Sequence, residues 1–107
     1  GKVPGAIANN LPLVMNTLLG GYTRSDIAHW AIHPGGRTVL DAVRTGAELE
    51  EHQLTESREV LRKFGNMSSA TIMFVLQTML SNAKKPGPGL AMAFGPGLTV
   101  ESMRFVL

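Results

Sequence analysis

The chain has no cysteine among its 107 residues. That absence removes disulfides, thiolate metal sites and any cysteine nucleophile supplied by these residues. A membrane-spanning run is missing too, because no apolar stretch reaches the roughly 20 residues needed to cross a bilayer. The opening GKVPGAIANN lacks the basic-then-apolar plan of a signal peptide, so a cytoplasmic setting with no membrane partner is the default expectation. Charge of one sign is scarce as well: ten Lys+Arg stand against eight Asp+Glu, a net +2, and no basic run exceeds Lys84-Lys85. Such a balance does not call for nucleic acid, although it tolerates an anionic ligand. No internal repeat stands out.

What is present fits one globular unit, with 44% hydrophobic and 17% charged residues. Apolar positions Ile7, Leu11, Val14, Met15 and Leu18 recur at helical spacing and predict a helix over roughly 5–19, disturbed at Pro12 and stopped at Gly20-Gly21. After Asp26, the short apolar run IAHWAIH closes at Pro34-Gly35-Gly36 and reads as a buried strand. Val39, Leu40 and Val43 predict a second helix from Arg37 to Thr45, ended by Gly46. Residues 48–52 read as a loop or frayed turn. Thr55-Glu56 then opens a helix with Val60, Leu61 and Phe64 as its inner face, and Gly65 stops it.

The segment ATIMFVLQTMLSN, residues 70–82, is apolar nearly all round and calls for protein on every side. It is too short to span a membrane and reads as a central core helix. NAKKPGPG is a surface connection by composition. Two strand candidates follow, GLAMAF and LTVESMRFVL, expected to pair antiparallel across Gly95-Pro96-Gly97. The all-apolar helix and a mean hydropathy of +0.09 suggest a core that continues into something larger.

Two stretches carry chemistry. In HWAIHPGGRT, an ionisable ring sits where the strand stops. His29 and His33 have the spacing that on a helix would give two metal ligands on one face. On a strand they lie roughly 13 Å apart, too far for one ion. The flanking Trp30, Ile32 and Pro-Gly-Gly favour the strand, and no metal site is expected. In KFGNMSSAT, Asn66 stands between a glycine stop and a serine that caps the next helix. It reads either as a turn residue that tolerates left-handed geometry or as a carboxamide that joins an imidazole in stabilising an oxyanion.

The strings WAIHPGGRTVLDAV, SREVLRKFGNMSSATIMFVL and AFGPGLTVES, in this order, closely resemble the C-terminal part of type III polyketide synthases, the chalcone and stilbene synthase family. The resemblance begins at Val3-Pro4-Gly5 and covers nearly the whole chain. It implies an α/β protein, the C-terminal half of a thiolase-like fold with layered αβαβα architecture and a mixed sheet. It also implies a Cys-His-Asn triad, of which His33 and Asn66 match two members while the cysteine lies upstream of this region. These residues would then be the C-terminal quarter to third of an enzyme, inactive alone, whose partners are its own N-terminal half and a second copy in a homodimer. Acyl-CoA and malonyl-CoA are the implied substrates, with no further cofactor. His33 is expected to activate the cysteine as well, and with Asn66 to hold the malonyl thioester carbonyl and stabilise the enolate left by decarboxylation, at about 3 kcal/mol per donor.

Other positions carry over from the same resemblance. Ser68 matches a position near the cavity floor, and helix capping explains it equally well. Phe94, Gly95, Pro96 and Gly97 match a cyclisation loop, with Ala93 where plant members usually have glycine. Thr38 matches a position lining the CoA tunnel, and Arg37 would reach a phosphate; both residues also suit the start of a helix. His29 and His52 match nothing catalytic, and Trp30 and the methionines read as core filler. The rival expectations are a ketoacyl synthase III, which extends chains on acyl carrier protein, and a non-catalytic CoA-binding or dimerisation unit.

Overall fold

The computed structural model describes residues 2–33, 35–66, 70–82, 86–94 and 100–107. Helix α1, Lys2–Leu19, buries Ile7, Leu11, Met15 and Leu19, one stripe at four-residue spacing. It starts three residues before the expected point, since Pro4 falls in the first turn, where a proline costs no intrahelical hydrogen bond. Strand β1, His29–Ile32, follows a 3-10 turn at Arg24–Asp26. Then come α2, Arg37–Gly46, a 3-10 turn at Glu51–Leu54, and α3, Thr55–Phe64. Helix α4, Ala70–Asn82, leads to strands β2, Pro88–Phe94, and β3, Val100–Val106.

Among the described residues the sheet runs β1-β2-β3. β1 and β2 are parallel, with Trp30 opposite Leu90 and Ile32 opposite Met92. β2 and β3 are antiparallel, as expected, with Phe94 opposite Val100. Because side chains alternate along a strand, Trp30, Ile32, Leu90 and Met92 join the inner stripes of α1 and α2 in one cluster. Ala31 and Ala91 face the other way, toward Val60, Val75 and Met79. α1 and α2 approach closely at Gly46, where a Cβ would lie 3.0 Å from the Leu11 Cβ and 3.3 Å from the carbonyls of Ile7 and Ala8.

Helix α4 is not enclosed by these residues: Thr71, Val75 and Met79 form its buried stripe, while Met73 and Leu80 are 63% and 66% exposed, in keeping with a core that continues beyond this segment. One expectation needs correcting. Phe64 is not part of the inner face of α3. It is half exposed, its ring tilted against Phe74 of α4 with centroids 5.1 Å apart. As the last residue of α3, it projects from the helix end toward a neighbouring element rather than into the core.

Candidate active site

His33 follows β1 directly. Its N–H donates to the Met92 carbonyl at 2.8 Å, carrying the parallel ladder one residue past the strand. The Gly35 N–H then returns to the His33 carbonyl at 2.9 Å, closing a tight turn from which α2 departs. The turn runs close beside the imidazole: a Cβ at Gly35 would sit 3.8 Å from the His33 Nδ1, in ordinary contact. The histidine is half-buried and, by alternation, shares the face of Ala31.

Asn66 comes to the same turn from the other direction. Gly65 ends α3 at φ +68°, a left-handed backbone that glycine adopts without strain, and its N–H caps the helix by donating to the Leu61 carbonyl at 2.9 Å. That reversal delivers the Asn66 carboxamide to the Gly35 carbonyl, to which its Nδ2 donates at 3.4 Å. Residues 31 positions apart in sequence therefore meet at one loop. The histidine and the asparagine singled out in the sequence are brought together at the carboxyl ends of the parallel strands, where open α/β sheets place their ligands.

Phe94 ends β2 at this same edge of the sheet, half-buried and packed against the α1/α2 cluster. Thr38 lies exposed in the first turn of α2, with Arg37 exposed beside it. Ser68, Gly95, Pro96 and Gly97 lie outside the described residues. His29 sits at the far end of β1, so the two histidines have strand rather than helix spacing. There it lines an open concavity of about 1180 Å³ with Trp30, His52, Glu56, Met79 and Pro88, to which neither His33 nor Asn66 contributes.

Two features of α3 went unnoticed in the sequence. Ser57 is fully buried, and its Oγ accepts the Ile32 N–H at 3.1 Å. A serine on the inner stripe that also holds Val60 was the available signal. Arg58 clasps α3 to the neighbouring elements through Asp41, at 2.6 Å, and Glu51. Burial opposes its charge, but hydrogen bonds to Glu51 and Asp41 and their negative charges outweigh that and raise its pKa above the ordinary arginine value. Among the described residues, no group of three or more histidines and carboxylates is arranged to hold a metal ion.

The chain matches, over residues 1–106, the family described as chalcone and stilbene synthases, C-terminal domain. It is 40% identical to an alpha-pyrone synthesis polyketide synthase-like protein of Mycobacterium tuberculosis, across 97% of this chain and 28% of that one. To the bisdemethoxycurcumin synthase of Oryza sativa it is 36% identical, covering 95% of this chain and 29% of the relative. Among solved structures, it superposes on PKS-I of the brown alga Ectocarpus siliculosus with a TM-score of 0.89 at 32% identity, over 97% of this chain and 30% of that one. The C-terminal type III polyketide synthase domain of Steely1 from Dictyostelium gives 0.88 at 26% identity, over 97% and 31% of the respective chains.

Proposed function

Since the chain belongs to the chalcone and stilbene synthases, as their C-terminal domain with a thiolase-like fold, we propose that it supplies two of the three catalytic side chains of a type III polyketide synthase. The chain spans under a third of the length of the relatives it matches. The cysteine nucleophile and most of the cavity are accordingly assigned to residues outside these 107, and the segment alone to an inactive state.

In this reading the enzyme is an acyltransferase that condenses malonyl-CoA onto a starter acyl-CoA. The starter is transferred to the cysteine sulfur with loss of CoA. The imidazole of His33 favours the thiolate that makes this attack. His33 and Asn66 then donate hydrogen bonds to the thioester carbonyl of malonyl-CoA. The bond to the malonyl carboxylate breaks, CO2 leaves, and the electron pair moves into an enolate whose oxygen the two donors stabilise. The enolate carbon attacks the cysteine-bound acyl carbonyl, a carbon–carbon bond forms, and the thiolate departs. Thr38 lines the CoA tunnel, Ser68 the cavity floor, and Phe94, Gly95, Pro96 and Gly97 shape the cavity in which the product cyclises. The working enzyme is a cytoplasmic homodimer.

One observation carries this reading: the Asn66 carboxamide reaches the turn that His33 opens, 3.4 Å from the Gly35 carbonyl. The test uses the intact enzyme with malonyl-CoA and short, long and aromatic acyl-CoAs, with products identified by mass. His33→Ala and Asn66→Ala should each lower kcat by about 10²- to 10³-fold, the usual cost of losing one oxyanion donor. Condensation that persists at the wild-type rate in either variant removes the assignment. Turnover only with acyl carrier protein thioesters would move the enzyme to fatty acid synthesis.

A further inference from the structure

His33 lies between two peptide groups that are each gripped by α3 or by the turn that ends it. One residue before the histidine, the Ile32 N–H donates to Ser57 Oγ at 3.1 Å. Two residues after it, the Gly35 carbonyl accepts Asn66 Nδ2 at 3.4 Å. On its other side the segment is tied to β2 through the His33 N–H and the Met92 carbonyl, at 2.8 Å. Because β1 is an edge strand among the described residues, the outward amide of Ile32 has no strand to pair with. Ile32 and Ser57 are both fully buried, so water does not substitute for the hydroxyl. A buried serine among apolar neighbours is itself costly unless its hydroxyl is used, and here the strand edge uses it.

We propose that Ser57 is the positioning residue of this site: its hydroxyl fixes the peptide before His33 and thereby sets the imidazole relative to Asn66, which the same helix carries at its other end. The inference rests on the catalytic roles proposed above for His33 and Asn66. An α-helix is stiff along its axis, at about 1.5 Å per residue, so a slip at Ser57 passes along α3 to the Gly65 turn from which Asn66 projects. Donors in an oxyanion hole act only near their correct positions, and a displacement of about 1 Å can cost on the order of 10²-fold in rate. Ser57 touches neither substrate nor reacting atoms and acts through where it holds the other two.

The test is steady-state kinetics on the intact enzyme. Ser57→Ala should lower kcat by about 10- to 100-fold while the KM for malonyl-CoA changes by less than about threefold, and Ser57→Thr, which keeps the hydroxyl, should recover most of the rate. Placed on His33→Ala, the Ser57→Ala change should have almost no further effect, because residues that act as a unit are not additive. Ser57→Cys, nearly isosteric with a weakly accepting sulfur, gives the same reading where alanine leaves the protein insoluble. A wild-type kcat in Ser57→Ala, a loss confined to KM, equal loss in Ser57→Thr, or full additivity with His33→Ala would each overturn the proposal. Undiminished condensation by His33→Ala alone would instead remove the parent reading and this one with it, an outcome distinct from a Ser57 variant that stays active while His33 remains essential.

Discussion

On one face of the sheet, Trp30, Ile32, Leu90 and Met92 meet the stripes of α1 and α2 in a cluster of large side chains. On the opposite face, Ala31 and Ala91 meet the buried side chains of Val60, Val75 and Met79, with Ile72, Phe74, Leu76, Phe105 and Leu107 packed around them only partly buried, while Met73 and Leu80 of α4 point outward. The first face closes within the described residues, and the second stops one layer short. Alanines on the second face let α4 approach the sheet closely, but a thin layer of methyl groups buries little area and so contributes little at about 25 cal/mol per Å². His33 belongs by alternation to this thinner face. Stability and proposed chemistry are thus assigned to different sides of the same three strands. That division suits a domain whose site is completed by residues outside it, as the coverage of its relatives suggests.

The sharpest way to break this comparison is to damage each face and ask what is lost. Leu40 is fully buried in the larger cluster. Leu40→Ala should cost about 2–5 kcal/mol of unfolding free energy, from lost transfer and the cavity left behind, measured by denaturant titration. A cost under about 1 kcal/mol would mean that the α1/α2 face is not the stabilising one. Next in size is the outer face of α4, probed by Met73→Lys with Leu80→Lys. In the segment alone these changes should reduce self-association on size exclusion, since they break an exposed apolar patch. In the intact enzyme they should destabilise by about 1.5–3 kcal/mol per side chain, the worth of burying such a group. A neutral effect there, within about 0.5 kcal/mol, would show that nothing covers α4.

The order of elements was legible because glycines mark its stops: Gly20-Gly21 after α1, Gly46 closing α2 and Gly65 after α3. The strand before Pro34 was legible from its brevity and apolar character, and with it the placement of His33 at a strand end. Helix α4 was legible as a helix but not in its burial. A segment apolar on all sides carries no periodicity to say which stripe faces the sheet, and Thr71, Val75 and Met79 emerge only from packing. For Ser57 the inner-stripe position was legible but its partner was not, for a different reason. Its partner, Ile32, is 25 residues away, and a hydroxyl on a helix gives no sign of whether it meets water or an open strand edge. Phe64 misled because helical spacing puts it on the stripe of Val60, whereas at the last position of α3 its ring turns toward Phe74 of α4.

The smallest expected effect separates the two ends of β1. Asp26, in the turn that leads into the strand at the end away from His33, accepts the Thr23 N–H through Oδ2 at 2.8 Å. That backbone hydrogen bond, with a second from the Thr23 side chain, outweighs slight desolvation and holds the carboxyl below its usual 3.8. A group whose folded pKa is depressed adds stability that is present above its unfolded value and disappears as pH falls through the folded one. Asp26→Asn should therefore melt slightly lower than wild type at pH 7, and the gap should close as the pH is lowered below about 3.8. Thermal melts of both proteins between pH 7 and pH 2.5 measure it, and a gap of equal size at both limits would mean that the carboxylate's charge is irrelevant to the turn. Since Asp26 and His33 flank β1 from opposite ends, kcat at neutral pH should stay at the wild-type value in the same variant, whereas a matching fall in kcat would show that the lead-in turn and the site are coupled through the strand.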